Sequence, residues 1–141
     1  SSPDGKGAIL SMQKALEMSG LEPSDIGYIN AHGTGTQNND LSEGVAISTL
    51  FDKVPPISST KSFTGHTTSA AGAVESVISI IAMIHNFLPA NLNFSEKMEE
   101  LNFEPLKTTI KNYSFDHFMK NSFGFGGNNT SLIFSKYKNN N

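Results

Sequence analysis

Residues 61–75, KSFTGHTTSAAGAVE, hold three groups able to do chemistry: Lys61, His66 and Glu75. Glu75 is the only formally charged residue between Lys61 and Glu96, and its neighbours are small or aliphatic. A carboxylate in such surroundings takes up a proton or finds a cation, because leaving it charged and alone is costly. Lys61 and His66 are the nearest cations in sequence; the alternative places Glu75 on an exposed edge of its helix. His66 stands just before that helix, where free amides and the helix dipole disfavour an imidazolium. A neutral ring there suits polarising a carbonyl better than binding an anion. A second histidine, His32, follows the strand-like IGYIN in the Gly-rich AHGTGTQNND. Strand ends on one edge of an α/β sheet are where sites collect, so the two histidines together read as a loop site.

Other chemistries fit less well. Two histidines and a glutamate suggest a metal, but no pair has HExxH spacing and the remaining carboxylates look solvated, so no metal is expected. Thr34 and Thr36 are either turn residues or hydroxyls lining a ligand channel. FGFGGNN at 123–129 lacks the strand-then-helix context of a dinucleotide loop. Its Phe123 and Phe125, so close to Gly-Gly, are either core residues or a mobile aromatic flap over a pocket.

Several elements must position these groups. Ile9, Leu10, Met12, Ala15, Leu16 and Met18 lie at helical spacing from Gly7 to Ser19, and Gly20 stands where a left-handed cap would. After the IGYIN strand and its polar loop, Asp40 and Glu43 have the pattern of a capping box opening a helix to about Phe51. VPPISS offers a second strand. From Thr68 to His85 the chain is apolar nearly all round, as in a helix covered on every side. SEKMEELN reads as a short surface helix capped by Ser95, and FMKNS and TSLIF as two strands joined by the glycine loop. Strands alternating with helices indicate an α/β sheet with a hairpin-like end.

Composition narrows the class. The 141 residues amount to one domain or a piece of one, with a net charge of -3. Ten lysines with no arginine, among scattered acids, leave no footprint for nucleic acid or an anionic membrane. The absence of Cys excludes disulfides, thiolate metal sites and a cysteine nucleophile within these residues. No apolar run is long enough to span a bilayer, and the start lacks signal-peptide features, so a soluble, intracellular protein is expected.

NAHGTGT at 30–36, KSFTGH at 61–66, AAGAVE at 70–75 and NSFGFGGNN at 121–129 together resemble the elongating β-ketoacyl-acyl carrier protein synthases, which are thiolase-like condensing enzymes. The resemblance runs from about Gly7 to about Phe134 and reaches only the C-terminal half of such an enzyme. It implies an α/β, thiolase-like half over residues 1–137, a mixed five-stranded sheet with helices on both faces, followed by a disordered tail at 138–141. It also implies a decarboxylative Claisen condensation, in which a Cys carries the acyl chain and malonyl-carrier protein loses CO2 to become the attacking carbanion. That Cys lies in the other half, so a chain without Cys, beginning at Ser1, is expected to be a piece of the enzyme and inactive alone.

Residue by residue, the resemblance makes His32 and His66 the histidines of a Cys-His-His site, which stabilise the enolate as charge develops. Lys61 matches the motif lysine and Glu75 its paired carboxylate. The backbone amide of Phe125 matches an oxyanion-hole donor and its ring the acyl-pocket gate; Thr34 and Thr36 match contacts to phosphopantetheine, with Phe123 beside the substrate. No cofactor of its own is implied, since the substrate rides on the phosphopantetheine of acyl carrier protein. The implied partners are acyl carrier protein and a second copy of the full-length enzyme, in the cytoplasm, with no nucleic acid and no membrane. His66, where coenzyme A-dependent initiating synthases have Asn, together with NAHGTGT and GFGG, favours a discrete fatty-acid, polyketide or polyene elongation system. Thr68-Ser69 departs from the commoner bulky residue and Gly. The alternative is a non-catalytic partner resembling a chain-length factor, against which the retention of His32, His66 and Lys61 argues.

Overall fold

Alternation along two neighbouring strands divides the core into two unlike faces. In the computed structural model, which describes residues 4–138, β1 (Tyr28–Asn30) lies parallel to both β2 (Ile57–Ser58) and β5 (His117–Phe123). β6 (Asn129–Ser135) pairs antiparallel to β5, giving a four-stranded sheet in the order β2-β1-β5-β6. Successive side chains of a strand point to opposite faces. Accordingly Ile29, Ile57, Met119 and Phe123 join Met12 and Leu16 of α1 (Lys6–Ser19) and Ala46 and Ile47 of α2 (Gln37–Leu50) in one apolar cluster. Tyr28 and Phe118 form the other cluster with Ala82 and Met83 of α4 (Ala71–Ile84), helped by the stack of Phe118 on Phe134 at 4.9 Å between centroids.

The α4 face also carries a layer of buried polar groups. Tyr28 Oη meets Ser58 Oγ at 2.8 Å, and Asn30 Nδ2 donates to Thr60 Oγ1 at 3.1 Å and to Ser79 Oγ at 3.0 Å. Of these, the Asn30–Ser79 bond ties α4 to the sheet, because sliding the helix would cost Asn30 that partner.

The expected mixed sheet with helices on both faces is present, with differences in detail. The main sheet has four strands rather than five; β3 (Phe87–Leu88) and β4 (Ile110–Lys111) form a separate antiparallel ribbon. The first helix ends at Gly20 in the left-handed conformation, as anticipated. α2 opens three residues before Asp40, with Thr36 at its N-cap, so Asp40 and Glu43 are not a capping box. Asp40 Oδ1 instead accepts Gly35 N–H at 3.3 Å, and Glu43 is spent elsewhere. SEKMEELN forms turns and irregular backbone rather than a helix: its one apolar side chain before Leu101, Met98, cannot build an amphipathic face. Of the expected tail at 138–141, Lys138 pairs with Asp116 at 3.1 Å, and residues 139–141, like 1–3, lie outside the described residues. Among the described residues no helix is long and apolar enough to cross a membrane.

α4 is not covered on every side. Val77, Ile81 and Ile84, at 55%, 46% and 61% exposure, form with Ala73 a stripe down one flank, while Glu75, Ser79 and Ala82 face the sheet. An apolar stripe of this kind on an isolated chain favours association. The 141-residue chain is therefore expected to self-associate in sedimentation velocity, and the Val77→Ser, Ile81→Ser double variant to shift toward monomer. A wild-type chain that stays monomeric as concentration rises would contradict this.

Candidate active site

The loop after β1 turns sharply at Gly33, where φ is 44° and a Cβ would come within 2.5 Å of Ser59 Cβ. Only glycine fits that turn, and Ser59 Oγ fastens it by donating to Gly33 O at 2.8 Å. The turn presents two consecutive amides to one side chain: His32 N–H and Gly33 N–H donate to the two oxygens of Glu43, each at 2.9 Å. Glu43 also accepts from Asn121 Nδ2 at 3.3 Å, and Asn121 Oδ1 accepts from Ser131 Oγ at 2.8 Å. Burial pushes the Glu43 carboxyl up, and the two amides and Asn121 pull it back toward the charged form.

On the opposite face of the sheet a second carboxylate grips the same loop. Glu75, 1% exposed, sets Oε1 2.6 Å from Lys61 Nζ and Oε2 2.7 Å from Lys120 Nζ. Lys61, the first residue of the single-turn α3 (Lys61–Thr64), donates in turn to the carbonyl oxygen of His32 at 2.6 Å. Its ammonium also lies 3.5 Å from His32 Nδ1, at the long limit of a hydrogen bond. An ammonium has only protons to offer, so Nδ1 is the acceptor and Nε2 carries the ring proton. Burial, with the positive charges of Lys61 and Lys120, drives the His32 pKa down to about 4.

His66 lies on the loop that enters α4, and its ring is exposed. Thr68 N–H donates to His66 Nδ1 at 3.0 Å, which again leaves Nε2 as the proton-bearing atom. Thr68 reaches this position with φ at 51°, an uncommon conformation for a β-branched residue. The rings of His32 and His66 lie 5.6 Å apart and nearly perpendicular, and Phe123 stands 6.0 Å from His32. Two imidazoles with their Nδ1 atoms engaged and their Nε2 protons available can hydrogen-bond an oxygen on which negative charge develops.

The remaining sequence-derived residues lie around this pair. Thr34 Oγ1 and Thr36 Oγ1 meet at 2.9 Å on the exposed side of the His32 loop. Phe123 is buried, whereas the Phe125 ring is fully exposed in a short 3-10 turn, so only the first of the two is a core residue. The glycine loop joins antiparallel strands, not a strand and a helix, which removes the context of a dinucleotide loop. A cavity of about 360 Å³ under that loop is lined by Phe123 and not by Phe125; a larger one of about 520 Å³, between α2 and the 91–105 segment, touches Thr34 and Lys61 but neither histidine.

Sequence reasoning missed Lys120 and Asn121 and misread Glu43. Spacing carried a signal for Glu43, which falls one helical turn before the buried Ala46 and Ile47. Lys120 and Asn121 interrupt an otherwise apolar strand, where polar residues require partners.

The mixed sheet with helices on both faces has the thiolase-like fold of the ketosynthases, with His32 and His66 on loops at one end of it. The chain belongs to the family described as beta-ketoacyl synthase, C-terminal domain, whose model matches residues 1–95. A mitochondrial 3-oxoacyl-[acyl-carrier-protein] synthase of Arabidopsis thaliana is 46% identical over 139 residues, covering 94% of this chain and 30% of its own length. A beta-ketoacyl synthase from Burkholderia phymatum superposes with a TM-score of 0.89 at 37% identity, covering 98% of this chain and 34% of that one. A ketosynthase from Xenorhabdus doucetiae, solved in complex with its chain length factor, gives 0.84 at 41% identity, covering 96% and 34%. The chain thus spans about a third of the length of the relatives it matches.

Removing the Glu75 charge should leave two buried ammoniums facing one another. Glu75→Gln is expected to lose about 3–5 kcal/mol of unfolding free energy in urea titrations, the range for breaking a buried ion pair by removing one partner. A loss below about 1 kcal/mol, as for an exposed pair, would show that the lysines do not depend on this carboxylate.

Proposed function

We propose that the chain is the C-terminal part of an elongating β-ketoacyl-acyl carrier protein synthase, contributing the enolate-stabilising half of a decarboxylative condensing site. The observation that carries this reading is the arrangement of His32 and His66: rings 5.6 Å apart, each with Nδ1 already hydrogen-bonded or facing an ammonium. When malonyl thioester loses CO2, electrons flow from the breaking C–C bond onto the thioester oxygen, and two Nε2–H donors stabilise that oxyanion. A neutral imidazole can do this, since one ring nitrogen keeps its proton to donate while the other accepts from the protein. The resulting carbanion attacks the acyl thioester on a Cys carried by the rest of the polypeptide, and the thiolate leaves.

Thr34 and Thr36, on the exposed lip of the His32 loop, are proposed to bind the phosphopantetheine arm, with the Phe125 amide as an oxyanion donor and its ring as a gate beside Phe123. The exposure of the Phe125 ring fits a residue that packs only when substrate or the other half is present. Acyl carrier protein would then be the substrate-bearing partner and the whole enzyme a homodimer. Its compartment would be the cytoplasm or, by analogy with the name of the Arabidopsis relative, a mitochondrion. No resident cofactor or metal enters this chemistry, and the chain without its Cys-bearing partner half should not condense anything. A non-catalytic role beside an active synthase would have no use for two neighbouring imidazole donors.

In the full-length enzyme, His32→Ala or His66→Ala should slow CO2 release from malonyl-carrier protein by about a hundred- to a thousandfold, the usual effect of removing one oxyanion donor. Acyl transfer to Cys should persist at least in part. Separate assays of radiolabelled CO2 release and acyl-enzyme formation measure the two steps. Normal CO2 release by the folded variants would overturn the assignment.

A further inference from the structure

Lys120 takes no part in the chemistry proposed above, yet its side chain is more deeply buried than that of Lys61, at 0% against 6% exposure. On β5, Met119, Asn121 and Phe123 face α1 and α2, while Phe118 and Lys120 face α4. An aliphatic residue would fill the Lys120 position without burying a charge. The lysine instead runs its methylenes through the core and sets its ammonium 2.7 Å from Glu75 Oε2, donating also to the carbonyl of Asn121.

The consequence is a division of the Glu75 carboxylate. Lys61 takes Oε1 at 2.6 Å, and its other protons are directed at His32, to the carbonyl at 2.6 Å and toward Nδ1 at 3.5 Å. Without Lys120, Lys61 would be the sole counter-ion for both carboxylate oxygens and would be drawn toward them, away from the ring. We infer that Lys120 is a second positioning residue of the histidine pair: by occupying Glu75 Oε2 it keeps the Lys61 ammonium on His32 and fixes that ring as the Nε2–H form. Its use in catalysis rests on the function proposed above, whereas the contacts themselves do not.

Electrostatics act in the same direction. Two ammoniums against one carboxylate leave a net positive charge behind the ring. The groups facing His32 are Lys61 on α3, Lys120 on β5 and His66 ahead of α4, whose charges oppose an imidazolium; Glu75 on α4 favours one. Glu43 on α2 takes the backbone N–H of His32. Burial lowers the pKa of Lys120 below the ordinary lysine value, and Glu75 opposes that shift.

Lys120→Met keeps the buried stem and removes only the ammonium. In this chain, ring 15N and 13C NMR titrations should show the His32 midpoint rising from about 4 by about half a unit or more, because a positive neighbour is gone. Its Nδ1 resonance should move toward that of an unbonded nitrogen. A folded Lys120→Met protein with an unchanged His32 midpoint and an unchanged Nδ1 resonance overturns the inference. Should the variant not fold, the wild-type chain decides: the His32 Nδ1 resonance should show a second inflection as Lys120 deprotonates, below the usual lysine value of 10.5, and a flat response there overturns it. In the full-length enzyme, Lys120→Met should slow CO2 release more than acyl transfer and move the acid limb of its pH profile upward. If the wild-type enzyme releases no CO2 while the NMR shift is seen, the proposed function fails and the positioning role stands.

Discussion

Glu75 is buried with each carboxylate oxygen against a different ammonium, and this three-charge contact fixes the groups around it. Three ions taken out of water carry a large desolvation penalty, recovered only when geometry and hydrogen bonding are good. Each member must therefore come from a rigid element. Glu75 comes from α4, Lys120 from the centre of β5, and Lys61 from a single helical turn directly after β2. Once those are set, the Lys61 ammonium can reach the carbonyl of His32, and the loop after β1 has little freedom left. Burying a charged cluster is weak evidence of a gain in stability over a hydrophobic one. Its value here is in specifying where one histidine sits.

His32 is held from both sides of the sheet. Glu43 takes its N–H and that of Gly33 from the α2 face, and Lys61 takes its carbonyl from the α4 face. The backbone of the residue is thus bonded at both polar atoms. In the function proposed here, a donor fixed before substrate arrives would need no reorganisation when charge develops. His66 is held more lightly, by one amide from Thr68, whose φ is 51°.

Much of this was legible in the sequence because its signals were local. A lone carboxylate in an apolar stretch required a cation, and Lys61 supplied it; helical spacing from Gly7 and a glycine stop at Gly20 marked the first helix. The motifs around His32, His66 and the glycine loop carried the family. What stayed hidden depended on pairing across the sheet. Nothing within FMKNS shows that Lys120 faces α4 and Asn121 faces α2, since that follows from the register of β5 against β1 and β6. Asp40 and Glu43 had the spacing of a capping box, but tertiary demand for a carboxylate under the His32 turn prevailed over local capping.

The central claim is that the protein's own contacts fix both site histidines as Nε2–H donors before any substrate binds. The most direct measurement is the tautomeric state of the two rings from two-bond 1H–15N correlation spectra of the substrate-free protein near neutral pH. The expected result is the same pattern for His32 and His66, with Nε2 protonated and Nδ1 an unprotonated acceptor, and with the His32 pattern lost in Glu75→Gln. A His32 ring protonated on Nδ1, or doubly protonated near neutral pH, would contradict it.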